Sequence, residues 1–395
     1  MFKNKNILGN KIITFSSLAL VVFGSLMIAS AEMGNSVGDT NYLTSVIIKQ
    51  VVYAVIGVIA YFACMHIKIY KIKSKVFFIG YIGLLLSLLA CRAFPAVNGA
   101  YAWIRFGSVA SIQPSEFAKA FMIVYGAKLL GTDSKENNLK HFKQFGIYAL
   151  IYIFIIVFIQ SDFGSGVVLF VICYCIMMIP PYKEIKKYQN YMVLGVFAAI
   201  ILIAIVLSDP VTEFMKSHDD NYMIGRFLAA ADPFLYRYDN GYHVIMALVS
   251  FANGGLFGLG YGNSIHKYMN FPNPSNDFIL PIIVEELGFV GFIGFIIAYA
   301  LMLIPLVVAS FRTKYISSKM VFLGVFTYFV VHFILNVGGV SAIIPLTGVP
   351  LLLISSGGSS LMASMVGLGF AQSELLRNKG LKNESNSGEI QEDAN

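Results

Sequence analysis

Residues 241–288 read GYHVIMALVSFANGGLFGLGYGNSIHKYMNFPNPSNDFILPIIVEELG. The stretch begins glycine-rich, closes with Asn273-Pro274-Ser275-Asn276-Asp277, and then enters a long apolar run that carries a second acidic pair, Glu285-Glu286. Acids at the mouth of an apolar span and inside it are costly to place in hydrocarbon, which makes them functional candidates from the outset. The glycine-rich part reads as a non-helical loop, and Asp277 reads as the start of a helix with Asn276 as its N-cap. On such a helix residues 277, 281, 285 and 288 share one stripe. Glu285 is then expected about 12 Å deeper than Asp277, in the wall of the same cavity. The plainer reading of Asp277 is an acid that simply favours the positive end of a helix.

Working outward, the chain is 57% hydrophobic and only 12% charged over 395 residues, which excludes an ordinary soluble globule. Ten apolar segments approach spanning length: 12–31, 46–66, 76–93, 114–131, 145–161, 164–180, 190–208, 278–309, 320–341 and 357–376. The expectation is an all-α polytopic membrane protein of about ten transmembrane helices in one domain, residues 1–382. A large extracellular loop, 209–276, joins spans seven and eight, and a disordered cytoplasmic tail occupies 383–395. The run from 12 to 29, with Ala29-Ser30-Ala31 behind it, imitates a signal peptide but exceeds the usual h-region, so it is kept as the first span. Cys64, Cys91, Cys173 and Cys175 all lie in apolar runs without metal or redox spacing and read as packing residues.

The net charge of +7 is a topology signal, not a nucleic-acid footprint. With a cytoplasmic N-terminus, 20 of the 28 Lys/Arg fall on the cytoplasmic side, in residues 3–11, 68–75, 128–143, 183–187, 312–319 and 377–382. The positive-inside rule therefore places both termini in the cytoplasm. The outer face then carries the long connections and the chemistry-bearing motifs.

Three further motifs share that face. Asn98-Gly99-Ala100-Tyr101-Ala102-Trp103-Ile104-Arg105-Phe106-Gly107 holds the only tryptophan, suited to anchoring at the headgroup level. It leads to Ile112-Gln113-Pro114-Ser115-Glu116-Phe117-Ala118-Lys119, where an i, i+3 acid–base pair enters a span and implies a polar cavity. Gln160-Ser161-Asp162-Phe163-Gly164-Ser165-Gly166 reads first as a tight turn between spans. The return at 345–360 looks like a broken helix, tolerable only against protein or a wet cavity. His332 beside Asn336 reads as satisfied packing. No zinc, Walker or dinucleotide fingerprint is present.

Together these motifs resemble the SEDS family, the RodA and FtsW group of shape, elongation, division and sporulation proteins. The resemblance runs from the first span to about Gln372. It is strongest in GAYAWIRFG–QPSEFAK, GYHVIMALVSFANGGLFGLGYGNS, NDFILPIIVEELG and PLTGVPLLLISSGGSS. Arg226-Phe227-Leu228 and the NGG–GNS loop look closer to the division type. The resemblance implies a peptidoglycan glycosyltransferase polymerising lipid II on the outer face of the cytoplasmic membrane, beside a class B penicillin-binding protein. It implies Asp277 as the catalytic acid, and Trp103, Asp162 and Lys119 as matching sensitive positions. Ala102 stands where the family carries arginine, so a phosphate or carboxylate partner is expected to be missing.

The implied chemistry is attack of a sugar hydroxyl on an anomeric carbon bearing a lipid pyrophosphate, with Asp277 as general base. The substrates are lipid II and undecaprenyl-pyrophosphate-linked glycan. Lys119, Arg105 and Arg226 are the candidate cations for the leaving group, with a divalent ion (Mg2+ or Mn2+) as a further candidate, and Glu285 completes the substrate-binding set. The competing functions are a lipid II flippase and a non-catalytic scaffold for a transpeptidase. The partner's span is expected to pack on the eighth and ninth spans around Phe289, Phe292 and Phe329. The threading itself is testable: a reporter fused after Lys382 should read cytoplasmic and one inserted near Asp219 external, and the reverse at either site rejects it.

Overall fold

The computed structural model describes residues 10–37, 40–97, 99–107, 110–131, 137–206, 232–234, 236, 238, 240–269, 271 and 273–392. Each of the ten apolar segments lies on a helix. The first seven are α1 (Lys11–Glu32), α2 (Thr40–Met65), α3 (Ser74–Ala90), α4 (Pro114–Leu130), α5 (Asn138–Phe154), α6 (Phe163–Met178) and α7 (Lys183–Val206). After the outer loop come α8 (Asn240–Gly254), α9 (Ile279–Arg312), α10 (Ile316–Val340) and α11 (Gly358–Glu392). Among the described residues six helices are long and apolar enough to cross a membrane: α1, α2, α3, α5 with its π-helical continuation to Ile159, α9 and α10. α6 is apolar but shorter. α4 gives up apolar character to Glu116, Lys119 and Lys128, and it can do so because almost all of it is buried by its neighbours.

Packing follows from small residues where backbones meet. On the α2–α11 interface, a Cβ on Gly369 would stand 2.5 Å from the Tyr61 carbonyl oxygen, so only glycine allows that approach. A tyrosine stack fastens α3 to α5, with the Tyr81 and Tyr152 rings 4.6 Å apart and nearly parallel. Phe329 is fully buried, so of the expected partner face only Phe289 and its exposed neighbours on α9 remain on the outside.

One element departs from the expectation in the outer loop. Residues 240–254 form a helix, α8, where a non-helical loop is expected. Its buried positions Val244, Ala247 and Ser250 recur every three residues, a helical period too short-lived to stand out beside the glycines. The backbone of α11 is helical to Glu392. Extending an existing helix costs far less than nucleating one.

The decisive feature is a break in α9. Gly288 sits at φ 68°, ψ −171°, so the helix stops and restarts there. The glycine loop behind α8 fills the break: Leu259 N–H donates to Glu285 O and Gly260 N–H to Glu286 O, each at 2.9 Å. In return Phe289 N–H donates to Gly255 O at 2.9 Å. A Cβ on Gly258 would lie 2.2 Å from Glu286 O, which explains the glycine. The backbone groups freed by the break are thus satisfied by protein, as membrane depth demands. The tip of the loop, Leu256 (64% exposed) and Phe257 (79% exposed), presents the apolar side expected of an interfacial segment.

Buried charges lock this insertion. Lys267 Nζ donates to Glu286 Oε1 at 2.8 Å, Gly262 O at 2.7 Å and Ser30 Oγ at 3.1 Å. Ser30 in turn donates to Glu286 Oε1 at 2.6 Å, which ties α1 into the latch. Removing one member of a buried ion pair strands the other, at a cost of about 3–5 kcal/mol. Lys267→Met should therefore lose roughly that much stability in mixed-micelle equilibrium unfolding. Lys267→Met combined with Glu286→Gln should regain most of it. Single and double variants as stable as the parent would show that the latch holds nothing.

Candidate functional site

Asp277 lies in the turn that precedes α9, not in the helix. The helix begins at Ile279, with Phe278 at the N-cap position and no side-chain cap, so Asn276 does not cap it. The turn starts at Asn273, whose φ of 47° reverses the chain, and Asn276 N–H closes it on Asn273 O at 3.0 Å. Asp277 is half-buried at the end of this turn, between exposed Asn276 and buried Phe278.

The turn is held from three sides. Asn336 on α10 donates both amide hydrogens, to Asp277 O and to Val349 O, each at 2.9 Å. Ser356 N–H donates to Ser275 O at 2.7 Å, joining the turn to the return before α11. Ser275 Oγ donates to Glu32 Oε1 at the end of α1. Glu32 also accepts from Tyr42 OH and Asn35 Nδ2, each at 2.9 Å. A carboxylate in the last turn of a helix faces the negative end of the helix dipole, an unfavourable place that its three donors offset.

A second cluster reaches the same return from below. Lys119 is fully buried, and its Nζ meets Glu116 Oε1 at 2.6 Å, His332 Nε2 at 3.3 Å and Ser165 Oγ at 3.5 Å. Tyr328 OH donates to the other Glu116 oxygen at 3.0 Å. His332 Nδ1 lies 2.9 Å from Pro350 O, so the ring donates there and offers Nε2 to Lys119. Asp162 caps α6 by accepting from Ser165 N–H at 3.0 Å, and it takes Gln113 Nε2 at 2.9 Å on its other oxygen. A continuous hydrogen-bonded path therefore runs from Asp162 through Ser165, Lys119 and His332 to the 349–350 backbone, and through Asn336 to Asp277.

The structure thus brings Asp277, Asp162 and Lys119 into one assembly, and it places the other predicted residues elsewhere. With all three ammonium hydrogens engaged and no exposure, Lys119 is a strut between helices and not an open cation for a phosphate. Glu285 belongs to the loop latch. Its carboxylate accepts from Ser264 Oγ and lies 2.6 Å from His266 Nδ1. Asp277 precedes the first helical residue, Ile279, so the helical stripe that carries Glu285 does not extend to it. Trp103 is half-buried, just ahead of a hairpin of β1 (Ile104–Phe106) and β2 (Ala110–Ile112). Arg105 is exposed on that hairpin, opposite Ser111. The loop is pinned to the α5–α6 turn by Tyr101 N–H donating to Gln160 O at 2.7 Å. Ala102 is fully covered there. Arg226 lies outside the described residues.

The residues missed by sequence reasoning are Glu32, Ser275, Ser356 and the bracing role of Asn336. Two signals pointed to them: an acid ending the first apolar run, and the i, i+4 polar pair His332–Asn336 in an otherwise apolar span. Among the described residues no three His, Cys, Asp or Glu side chains converge. Glu32→Ala should release the turn: amide hydrogen exchange across 273–278 should accelerate while α10 and α11 stay protected. Unchanged exchange at 273–278 would show that Glu32 holds nothing there.

Comparison with known proteins places this geometry. Residues 10–375 match the family model FTSW_RODA_SPOVE, described as cell cycle protein. The chain is 30% identical over 360 residues to stage V sporulation protein E of Bacillus subtilis, covering 89% of this chain and 93% of that one. It is 29% identical over 393 residues to a probable peptidoglycan glycosyltransferase FtsW of Lactococcus lactis, covering 93% and 92%. Its fold matches, with a TM-score of 0.68 at 21% identity, a chain of a peptidoglycan synthase complex that coordinates polymerization and crosslinking, covering 93% and 97%. The helical bundle and these matches agree: the chain is a polytopic membrane protein belonging to the FtsW/RodA/SpoVE cell cycle family.

Proposed function

We propose that this protein polymerises glycan strands from lipid-pyrophosphate-linked disaccharide, lipid II, on the outer face of the cytoplasmic membrane, with Asp277 as general base. The observation that carries the reading is the position of Asp277. It is a half-buried carboxylate whose backbone is fixed by Asn336, Ser275 and Ser356 at the outer end of the bundle. Relatives named peptidoglycan glycosyltransferase supply the reaction class.

In the step proposed, Asp277 takes the proton of an acceptor sugar hydroxyl. The freed oxygen forms a bond to the donor's anomeric carbon, the bond from that carbon to the pyrophosphate breaks, and the lipid pyrophosphate leaves with the electron pair. Pyrophosphate departs without protonation, so one carboxylate suffices, unlike the paired acids of glycosidases. With Lys119 internally committed, Arg105 on the exposed hairpin is a described cation open to the phosphates. A divalent ion, Mg2+ or Mn2+, would come with the pyrophosphate itself, since such ions often bind through substrate phosphates. The lipid chain stays in the bilayer beside the bundle.

The partner is a cross-linking enzyme, a class B penicillin-binding protein, in line with the synthase complex whose chain shares this fold. The exposed α9 face around Phe289 is its seat, and both termini are cytoplasmic. The functional test is Asp277→Asn, which keeps size and hydrogen bonding but removes the base. Purified protein assayed with lipid II and its partner should lose polymerisation by about 10²–10⁴-fold while remaining folded. Parental rates in the variant would refute the base. A parent that polymerises nothing but moves lipid II across vesicles would refute the reaction in favour of a flippase.

A further inference from the structure

Two polar atoms on the segments that flank the Asp277 turn are buried and have no hydrogen-bond partner among the described residues: Asn336 Oδ1, whose amide holds Asp277 O, and Thr347 Oγ1, next to Gly348. Buried side-chain polar atoms are mostly paired, so two such atoms around one turn call for an explanation. The orientation of the Asn336 amide is fixed. Its two N–H groups are both spent on the Asp277 and Val349 carbonyls, and turning the amide over would set Oδ1 against two carbonyl oxygens. Oδ1 is therefore a forced acceptor.

Thr347 belongs to the same neighbourhood. It is two residues from Val349, and its carbonyl packs on the first turn of α6, 2.6 Å from where a Cβ on Gly164 would stand. Between Thr347 and Val349 lies Gly348, at φ +67°. A side chain there would put its Cβ 3.9 Å from Asp277 Oδ2, in contact with the carboxylate. Glycine at this position keeps a side chain off that flank of Asp277.

We infer that Asn336, Thr347 and the Gly348 gap form the subsite for the acceptor sugar whose hydroxyl Asp277 deprotonates. This rests on the proposed reaction and deepens it. The chemistry of the subsite selects its ligand. A carboxylate and a forced amide acceptor present lone pairs only, and Thr347 adds a hydroxyl of either sense. The ligand must bring donors, as ring hydroxyls and the acetamido N–H of an amino sugar do. A phosphate brings only oxygen lone pairs and negative charge beside Asp277, so this flank rejects it. The subsite thereby gives the reaction a direction: the acceptor sugar stands on the 336–348 side of Asp277, and the pyrophosphate departs from another side.

The test is equilibrium binding of lipid II to purified protein in nanodiscs, read beside polymerisation. Thr347→Val keeps shape and removes the hydroxyl, so its lipid II affinity should fall roughly fivefold to tenfold, the worth of one neutral hydrogen bond. KM should rise in parallel with kcat nearly unchanged, a split that a merely structural role does not produce. Thr347→Ser, which restores the hydroxyl, should recover the parental affinity. Thr347→Val protein that binds lipid II like the parent, or a Thr347→Ser variant as weak as Thr347→Val, would overturn the subsite and leave the reaction standing. A parent that binds lipid II in a Thr347-dependent manner and forms no glycan would instead overturn the reaction and keep the subsite.

Discussion

Hydrocarbon offers no hydrogen bonds, so each polar group set inside this bundle must find its partner in the protein itself. That constraint shapes the outer half of the molecule. Glu286 is met by Lys267 and Ser30, Glu116 by Lys119 and Tyr328, and Glu32 by Ser275, Tyr42 and Asn35. Even the break at Gly288 is repaired by the backbone of the 255–260 loop. Several of these pairings, Lys267 with Glu286, Ser30 with Glu286, Tyr328 with Glu116 and Ser275 with Glu32, join different elements, so satisfying buried polarity and building the tertiary structure go together here. Asp277, by contrast, is only half-buried, and its backbone is held.

That contrast gives the arrangement its chemical meaning. A base acts well when its position is fixed beforehand, because reorganisation during the reaction adds to the barrier. The structure fixes the Asp277 backbone through α10, the return before α11 and the end of α1. The lysine–glutamate cluster beneath contributes rigidity through His332 and Pro350, and its charges cancel locally and are not offered to a ligand. Open chemistry is left to the rim, with Asp277, the hairpin carrying Arg105, and the turn at Gly348.

The sequence made some of this legible and hid the rest for identifiable reasons. Spanning helices are local, compositional features, and all ten apolar segments lie on helices. Asp277 stood out because a charge directly before a long apolar run is costly. Glu285 is hard to place from spacing because Asp277 lies in the turn before Ile279 and because the partners of Glu285, Ser264 and His266, come from the loop ahead of that turn. The Glu116–Lys119 pair is legible from its i, i+3 spacing, whereas the full enclosure of Lys119 also depends on His332 and Ser165, 213 and 46 residues away. The hydrogen bond from Ser275 to Glu32 crosses 243 residues, and no spacing rule detects it. What remains local, such as the α8 period of Val244, Ala247 and Ser250, was masked by the glycines that follow.

The central claim is that the reacting sugar meets the protein at the braced Asp277 turn. The most direct measurement is an experimental structure of the protein with a non-reactive lipid II analogue bound. The account predicts a sugar hydroxyl oxygen about 2.6–3.2 Å from the Asp277 carboxylate, the reach a general base requires. A disaccharide seated instead against Glu285 and His266, with no sugar oxygen within hydrogen-bonding reach of Asp277, would contradict it.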